Sequence, residues 1–174
     1  IEAQGKVLAY KWLVSKVSDR NGNFYTVSYE EDSDSGSYQV LEVNYGLHQT
    51  VNPSSPAARV SFEYELRPDN QVKYLSGSKQ RNTKRLKRIN TFADKATILS
   101  KVRSYSLNYE SSGVGSLSKL QNIQECDANS NCLPSLVFGW ENESIEDFSE
   151  LLTTFSTKMS AEYKVGGLDS TRIK

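Results

Sequence analysis

The chain has 174 residues, with 21 Lys and Arg against 21 Asp and Glu, one His, and 37% apolar residues. This length suits one domain, or one domain with an extra terminal segment, and supports a core without a metal or a disulfide framework. Balanced charge argues for neither a nucleic-acid nor an acidic partner, and no run of 18 apolar residues exists to form a spanning helix. The opening IEAQGKVLAY is not a signal peptide, and both ends read as cuts in a longer chain.

Ten tyrosines and many β-branched residues lean the composition towards sheet. Val7 to Val17 and Asn23 to Glu30 flank Asp19-Arg20-Asn21-Gly22-Asn23. The Asn-Gly pair predicts a hairpin with a type I′ turn, φ > 0 at both central residues. Tyr25, Val27 and Tyr29 alternate with Thr26 and Ser28, the period of a strand with one buried face. After an acidic turn, Ser37 to Tyr45 reads as a third strand, with Val40 on one face and Leu41, Val43 and Tyr45 on the other.

Gly46 to Ala57, with Pro53 and Pro56, reads as a loop holding His48 nearby. Val60, Phe62, Tyr64 and Leu66 alternate in a strand that Arg67-Pro68-Asp69-Asn70 is expected to stop. Val72, Tyr74 and Leu75 form a short run before Ser76-Gly77-Ser78. Arg85 to Ile89 and Ile98 to Tyr109 are further strands. Leu117, Leu120 and Ile123 have helical spacing, but the segment is short and lies between breaks, so it is read as a strand.

One helix is expected, capped at Ser144 and carrying an apolar stripe of Ile145, Phe148, Leu151, Leu152 and Phe155. The predicted organisation is therefore a β domain over 1–143 and a helical segment and linker over 144–174. The fold class is all-β: antiparallel hairpins forming a twisted sheet or sandwich, with a short helical segment near the C-terminus. A weak repeat supports stacked hairpins. Leu13 to Asp19 leads into Tyr25 to Tyr29, Arg85 to Asn90 leads into Tyr105 to Tyr109, and Leu117 to Ile123 begins the pattern again.

The order of motifs resembles a known family. Tyr10-Lys11-Trp12, Asp19 to Asn23, Phe62 to Asp69 and Lys84 to Ile89 are followed by Tyr105 to Tyr109, Leu120 to Cys126, Cys132-Leu133-Pro134 and Phe138-Gly139-Trp140. Each is weak alone; in this order they look like the YD/Rhs-related N-terminal region of the Salmonella plasmid virulence B protein and insecticidal toxin complex B-subunit family. The resemblance implies a secreted bacterial toxin or virulence protein, present in the cytoplasm before export. It also implies a following β-propeller, and as partners neighbouring domains of the same polypeptide and other toxin-complex subunits.

Chemistry-bearing constellations are sparse. A lone His48 in a loop is most simply solvent-exposed and inert. Two cysteines and one distant histidine fall short of a zinc site, and neither a phosphate loop nor a nucleophile elbow occurs. No catalytic, cofactor or metal site is expected. In the secreted setting that the resemblance implies, Cys126 and Cys132, enclosing a polar turn, read as a local disulfide; two free thiols are the alternative.

From Asn70 to Ala93 there are seven basic residues and no acid, including Lys79, Arg81, Lys84, Arg85, Lys87 and Arg88. They form either an anion-binding stripe or, as the strand alternation favours, a solvated face or contact to a neighbouring domain. Glu141 to Glu150 holds five acids and no base. The expected role is a non-catalytic structural domain contributing to a β-rich shell, with neither nucleic acid nor a membrane span. The alternative is a carbohydrate- or cell-surface-binding β-sandwich whose tyrosines and Trp12 or Trp140 line a groove. A hydrolase would need clustered carboxylates in a cleft.

Overall fold

A computed structural model describes residues 1, 7–9, 11–75, 77–95, 98–111 and 117–140. The chain divides into two units, Ile1–Phe138 and Gly139–Lys174, and every strand described lies in the first. The strands are β1 (Lys16–Ser18), β2 (Asn23–Asp32), β3 (Ser37–His48), β4 (Ala58–Leu75), β5 (Ser78–Lys95), β6 (Ile98–Ser111), β7 (Ser118–Asp127) and β8 (Leu136–Val137). They form one antiparallel sheet in strict sequence order, each strand paired with the next. The helix expected from Ser144 and the boundary expected at residue 143 lie outside the described residues.

The all-β expectation holds as a single sheet, without a second sheet among the described residues. The ladder sorts the side chains. Ser28, Glu42, Ser61, Asn90, Ser104 and Cys126 are successive partners across β2 to β7, so one face carries a continuous polar row. On the opposite face Val27 pairs with Val43 and Val43 with Val60, while Phe62, Ile89 and Tyr105 form a second apolar row. An amphipathic sheet normally buries its apolar face against another layer. Here Leu47, 4% exposed, is the sole buried hydrophobic residue among those described.

Three tyrosines at equivalent places build the repeat. Inter-hairpin pairing continues to Thr26, to Ser61 and to Ser106, beyond which no further pairs continue the ladder in that direction. Three residues on, Tyr29, Tyr64 and Tyr109 each reach back across the resulting gap. Their hydroxyls donate to the carbonyls of Val14 (2.9 Å), Val40 (3.0 Å) and Leu86 (2.6 Å). Val40 is itself the cross-strand partner of Tyr29, and Leu86 that of Tyr64, so the second and third staples each land on the residue facing the previous tyrosine. At each tyrosine the facing strand carries one extra residue, Leu41, Lys87 or Gln121, in a β-bulge. Burial pushes the phenols of Tyr64 and Tyr109 above the ordinary tyrosine range.

These bulges correct the expected faces. An extra residue inverts the alternation beyond it, so Val40 joins Val43 and Tyr45 while Leu41 is the bulged residue. Leu86 likewise faces Tyr64 whereas Arg88 faces Glu63 across the bulge at Lys87, not on one shared side. Of the described residues in Val7 to Val17, Lys16 and Val17 alone lie in a strand, β1, and Ala9 takes part in an isolated bridge. Arg67-Pro68-Asp69-Asn70 does not stop β4. It bulges out between the Leu66–Lys84 and Gln71–Asn82 pairs, after which the hairpin resumes as a long arm turning at Gly77, φ +74°.

Asp69 fixes that bulge. Its carboxylate, 3% exposed, accepts from Arg67 Nε (3.1 Å) and Nη2 (2.8 Å) and from the Ser118 amide (2.8 Å) and hydroxyl, tying β4 to the start of β7. The Arg67 guanidinium above all holds this carboxyl well below the usual carboxylate range.

Candidate functional site

The six basic residues picked from the sequence separate into two groups. Lys84 pairs with Glu30 at 2.6 Å, Arg85 with Glu65 at 2.7 Å, Lys87 with Glu65 at 3.9 Å, and Arg88 with Glu63 at 3.2 Å. Arg85 also donates to Ser118 Oγ (2.7 Å) and lies 4.5 Å over the Tyr109 ring. These four are internal cross-strand partners and not an anion-binding stripe. The register that supplies their acids is set by bulges, which periodicity does not reveal.

Lys79 and Arg81 belong to the β4–β5 arm, where no described carboxylate pairs with them or with Lys73. The arm curls over the β2–β3 turn: the Arg81 amide donates to the Ser35 carbonyl at 2.8 Å. That turn is fixed by Asp32, whose carboxylate accepts from the Asp34 and Ser35 amides and the Ser35 hydroxyl, and by Gly36 at φ +65°.

Between arm and turn lies a groove of about 290 Å³ lined by Lys11, Gly36, Ser37, Tyr38, Gln71, Lys73, Gln80, Arg81 and Asn82. Three cations line it and no acid does. Lys11 donates to the Tyr38 hydroxyl at 2.8 Å and sits 4.9 Å over its ring, and Tyr29 meets that ring edge-on at 6.5 Å. The Gln80 Nε2 is buried and has no acceptor among the described residues. Lys11 and Lys73 are more than sixty positions apart, so nothing local in the sequence joins them.

A second hollow of about 720 Å³ is apolar, lined by Val17, Phe24, Tyr25, Tyr45, Leu47 and Val51 together with His48. His48 is not a free loop residue: it ends β3 and is half-buried. Its Nδ1 accepts from the Thr50 amide (3.3 Å), which fixes Nε2 as the N–H donor to the Asn21 carbonyl (3.0 Å). Both ring nitrogens are thereby occupied in holding the first turn. No group of three or more His, Cys, Asp or Glu placed to hold a metal occurs among the described residues, and none of their helices is long and apolar enough to cross a membrane. Cys126 and Cys132 are joined in a disulfide, Cα atoms 3.9 Å apart, across the turn after β7.

No protein-family model matches the chain. No curated protein matches it. Solved structures do. A crystal structure of TcdB2-TccC3-Cdc42 is similar with TM-score 0.62 and 14% identity, over 76% of this chain and 9% of that one. TcdB2-TccC3 without its hypervariable C-terminal region gives 0.60 and 14%, over 78% and 9%. The Photorhabdus luminescens Tc holotoxin pore with a mutated TccC3 gives 0.59 and 14%, over 75% and 9%. The sheet thus has the fold of a segment of these Tc toxin assemblies, and this chain spans under a tenth of those chains' length.

Proposed function

We propose that the chain is a non-catalytic wall segment of a secreted, toxin-complex-type shell, built from YD/Rhs-like hairpins and covered on its apolar face by neighbouring domains or subunits. The observation that carries this is the single-layer sheet itself. It has a polar face, an apolar face, one buried hydrophobic residue and no second layer among the described residues. Such a face needs a partner layer. The tyrosine staples supply a means of extending the sheet by identical steps, as a wall requires. The likeness to Tc toxin structures supports the same reading.

The test is hydroxyl-radical footprinting of the chain alone and within a toxin-complex-type polypeptide or assembly. Tyr25, Tyr45 and Leu136, which are 38%, 43% and 62% exposed, should label readily alone and be protected in the assembly. Equal labelling in both settings overturns the proposal. So does turnover of any substrate by the isolated chain that a single substitution within residues 1–140 abolishes.

A further inference from the structure

We infer that the groove between the β4–β5 arm and the β2–β3 turn is a binding site for an anionic sugar, one saccharide ring bearing a sulfate, phosphate or carboxylate. This goes beyond the wall reading and does not depend on it. The charge argument is the separation of the cations. Lys84 pairs with Glu30 of β2, Arg85 and Lys87 share Glu65 of β4, and Arg88 pairs with Glu63 of β4. Lys73 and Arg81, from the same basic stretch, have no such partner among the described residues, and both line one groove. Two uncompensated cations facing one small concavity repel each other, and an anion between them removes that repulsion.

The remaining lining speaks for a polyhydroxylated ligand. Gln71 and Gln80 supply amides that both donate and accept, whereas the Asn82 amide is held by the Lys84 carbonyl and Arg67, and the Ser37 hydroxyl is bonded to Ser35 Oγ (2.7 Å). Because Lys11 donates to the Tyr38 oxygen, the phenolic hydrogen of Tyr38 is directed elsewhere. The Gln80 Nε2, buried without an acceptor, is a donor that a ligand oxygen would satisfy after a small side-chain rotation. At about 290 Å³ the groove is near the lower limit of ligand sites, room for one ring with its charged substituent. The walls are held without the ligand: the arm is pinned by the Arg81 amide to Ser35, and the turn by Asp32 and Gly36. Acids adjoining the site are Glu31, which faces Tyr38 across the ladder, Asp32 and Asp34 in the turn, and Glu30, which Lys84 already occupies; none of them lines the groove.

The experiment titrates the full chain, by calorimetry and ligand-observed NMR, with N-acetylglucosamine 6-sulfate, unmodified N-acetylglucosamine and inorganic sulfate. The sulfated sugar should bind, with the uncharged sugar and inorganic sulfate each at least tenfold weaker. Lys73→Ala with Arg81→Ala should weaken the sulfated sugar more than tenfold, and Gln80→Leu severalfold. Lys87→Ala, at a cation outside the lining whose Glu65 partner stays paired with Arg85, should leave binding unchanged. Both substituted arm residues are on the surface, and an unaltered thermal midpoint establishes that the fold is retained; should the pair unfold the chain, Lys73→Gln replaces it. Equal affinity for the uncharged sugar or for sulfate alone overturns the inference. So does equal weakening by Lys87→Ala, which would show a diffuse charge effect.

Discussion

The sheet carries the same turn at both of its edges, built to different specifications. Asp19 opens the first, and its carboxylate accepts from the amides of Asn21 (2.8 Å) and Asn23 (2.9 Å) and from the Asn23 side chain (2.8 Å). Asp127 opens the second and accepts from the amides of Asn129 (2.8 Å) and Asn131 (2.8 Å) and from the Asn131 side chain (3.0 Å). In both, the fourth residue adopts positive φ: Gly22 at +88°, Ser130 at +68°. The flanking pair is Ser18 opposite Phe24 in one and the disulfide Cys126–Cys132 in the other. The first turn thus relies on glycine and on His48 packed beneath it. The second tolerates a strained serine and carries a covalent bond. A cross-link and a favourable backbone residue are alternative ways to hold one hydrogen-bonded shape.

The sharpest break of this comparison is Gly22→Val. A β-branched residue in the left-handed region costs about 2 kcal/mol, and a Cβ at Gly22 would lie 3.2 Å from His48 Nε2, so the ring that braces the turn must also shift. Chemical denaturation should show a lower midpoint, with the exchange of β1 amides accelerated. An unchanged midpoint would mean that this turn does not need its glycine.

Reducing Cys126–Cys132 comes next. A cross-link closing so short a loop contributes about 2 kcal/mol by chain entropy, and the sheet should survive its loss because the Asp127 bonds remain. The readout is a two-hydrogen mass difference together with a modest drop in melting temperature. Complete loss of β-sheet circular dichroism on reduction would contradict it.

Ser130→Gly works in the opposite sense. Removing the Cβ from a left-handed position should stabilise by about 1 kcal/mol. The gain should be larger in the reduced protein, where the turn has no cross-link to hold it. A loss of stability would show that the Ser130 side chain is needed at that position.

The two turns also show how far the sequence was legible. Asp19 to Asn23 was readable as a hairpin turn, but Asn-Gly implied a type I′ geometry, whereas Gly22 alone of the pair has positive φ. The Asp19 carboxylate, bonding to the chain two and four residues on, sets a longer turn than the dipeptide rule assumes. The Cys126–Cys132 turn was legible only as a possible bridge, and its identity with the first lay in the shared D-x-x-x-N spacing. Strands were visible wherever period two ran unbroken. Leu41, Lys87 and Gln121 were not visible as bulges, because an inserted residue leaves composition unchanged while inverting faces. For the same reason the ion-paired and unpaired cations looked alike, and Lys11 could not be connected to Lys73 and Arg81.

The smallest effect expected is in acid, and it separates the turns most finely. Side-chain amides of Asn23 and Asn131, followed by backbone amides, hold the Asp19 and Asp127 carboxyls below the ordinary value of 3.8. A depressed pKa in the folded state means stabilisation that is complete at neutral pH and is lost as pH falls below 3.8. Both carboxylates are exposed, so the effect on global stability is slight and must be read locally. As pH is lowered from 5 towards 2, β1 should loosen. It is a three-residue strand at the sheet edge, beyond whose ladder only the Val27 amide on the Ser15 carbonyl (2.9 Å) and the Tyr29 hydroxyl on the Val14 carbonyl (2.9 Å) hold the chain to β2. Exchange at Val27 should therefore accelerate. The Leu133 amide on the Glu125 carbonyl, also 2.9 Å, lies two residues beyond the second turn, nearer than the four that separate Val27 and Ser15 from the first, and there the disulfide keeps the strand ends together. Its exchange should stay slow while Asp127 titrates, and reduction should make it follow Val27. If Leu133 loosens first in the oxidised protein, the cross-link does not substitute for the carboxylate, and the two turns are alike in shape only.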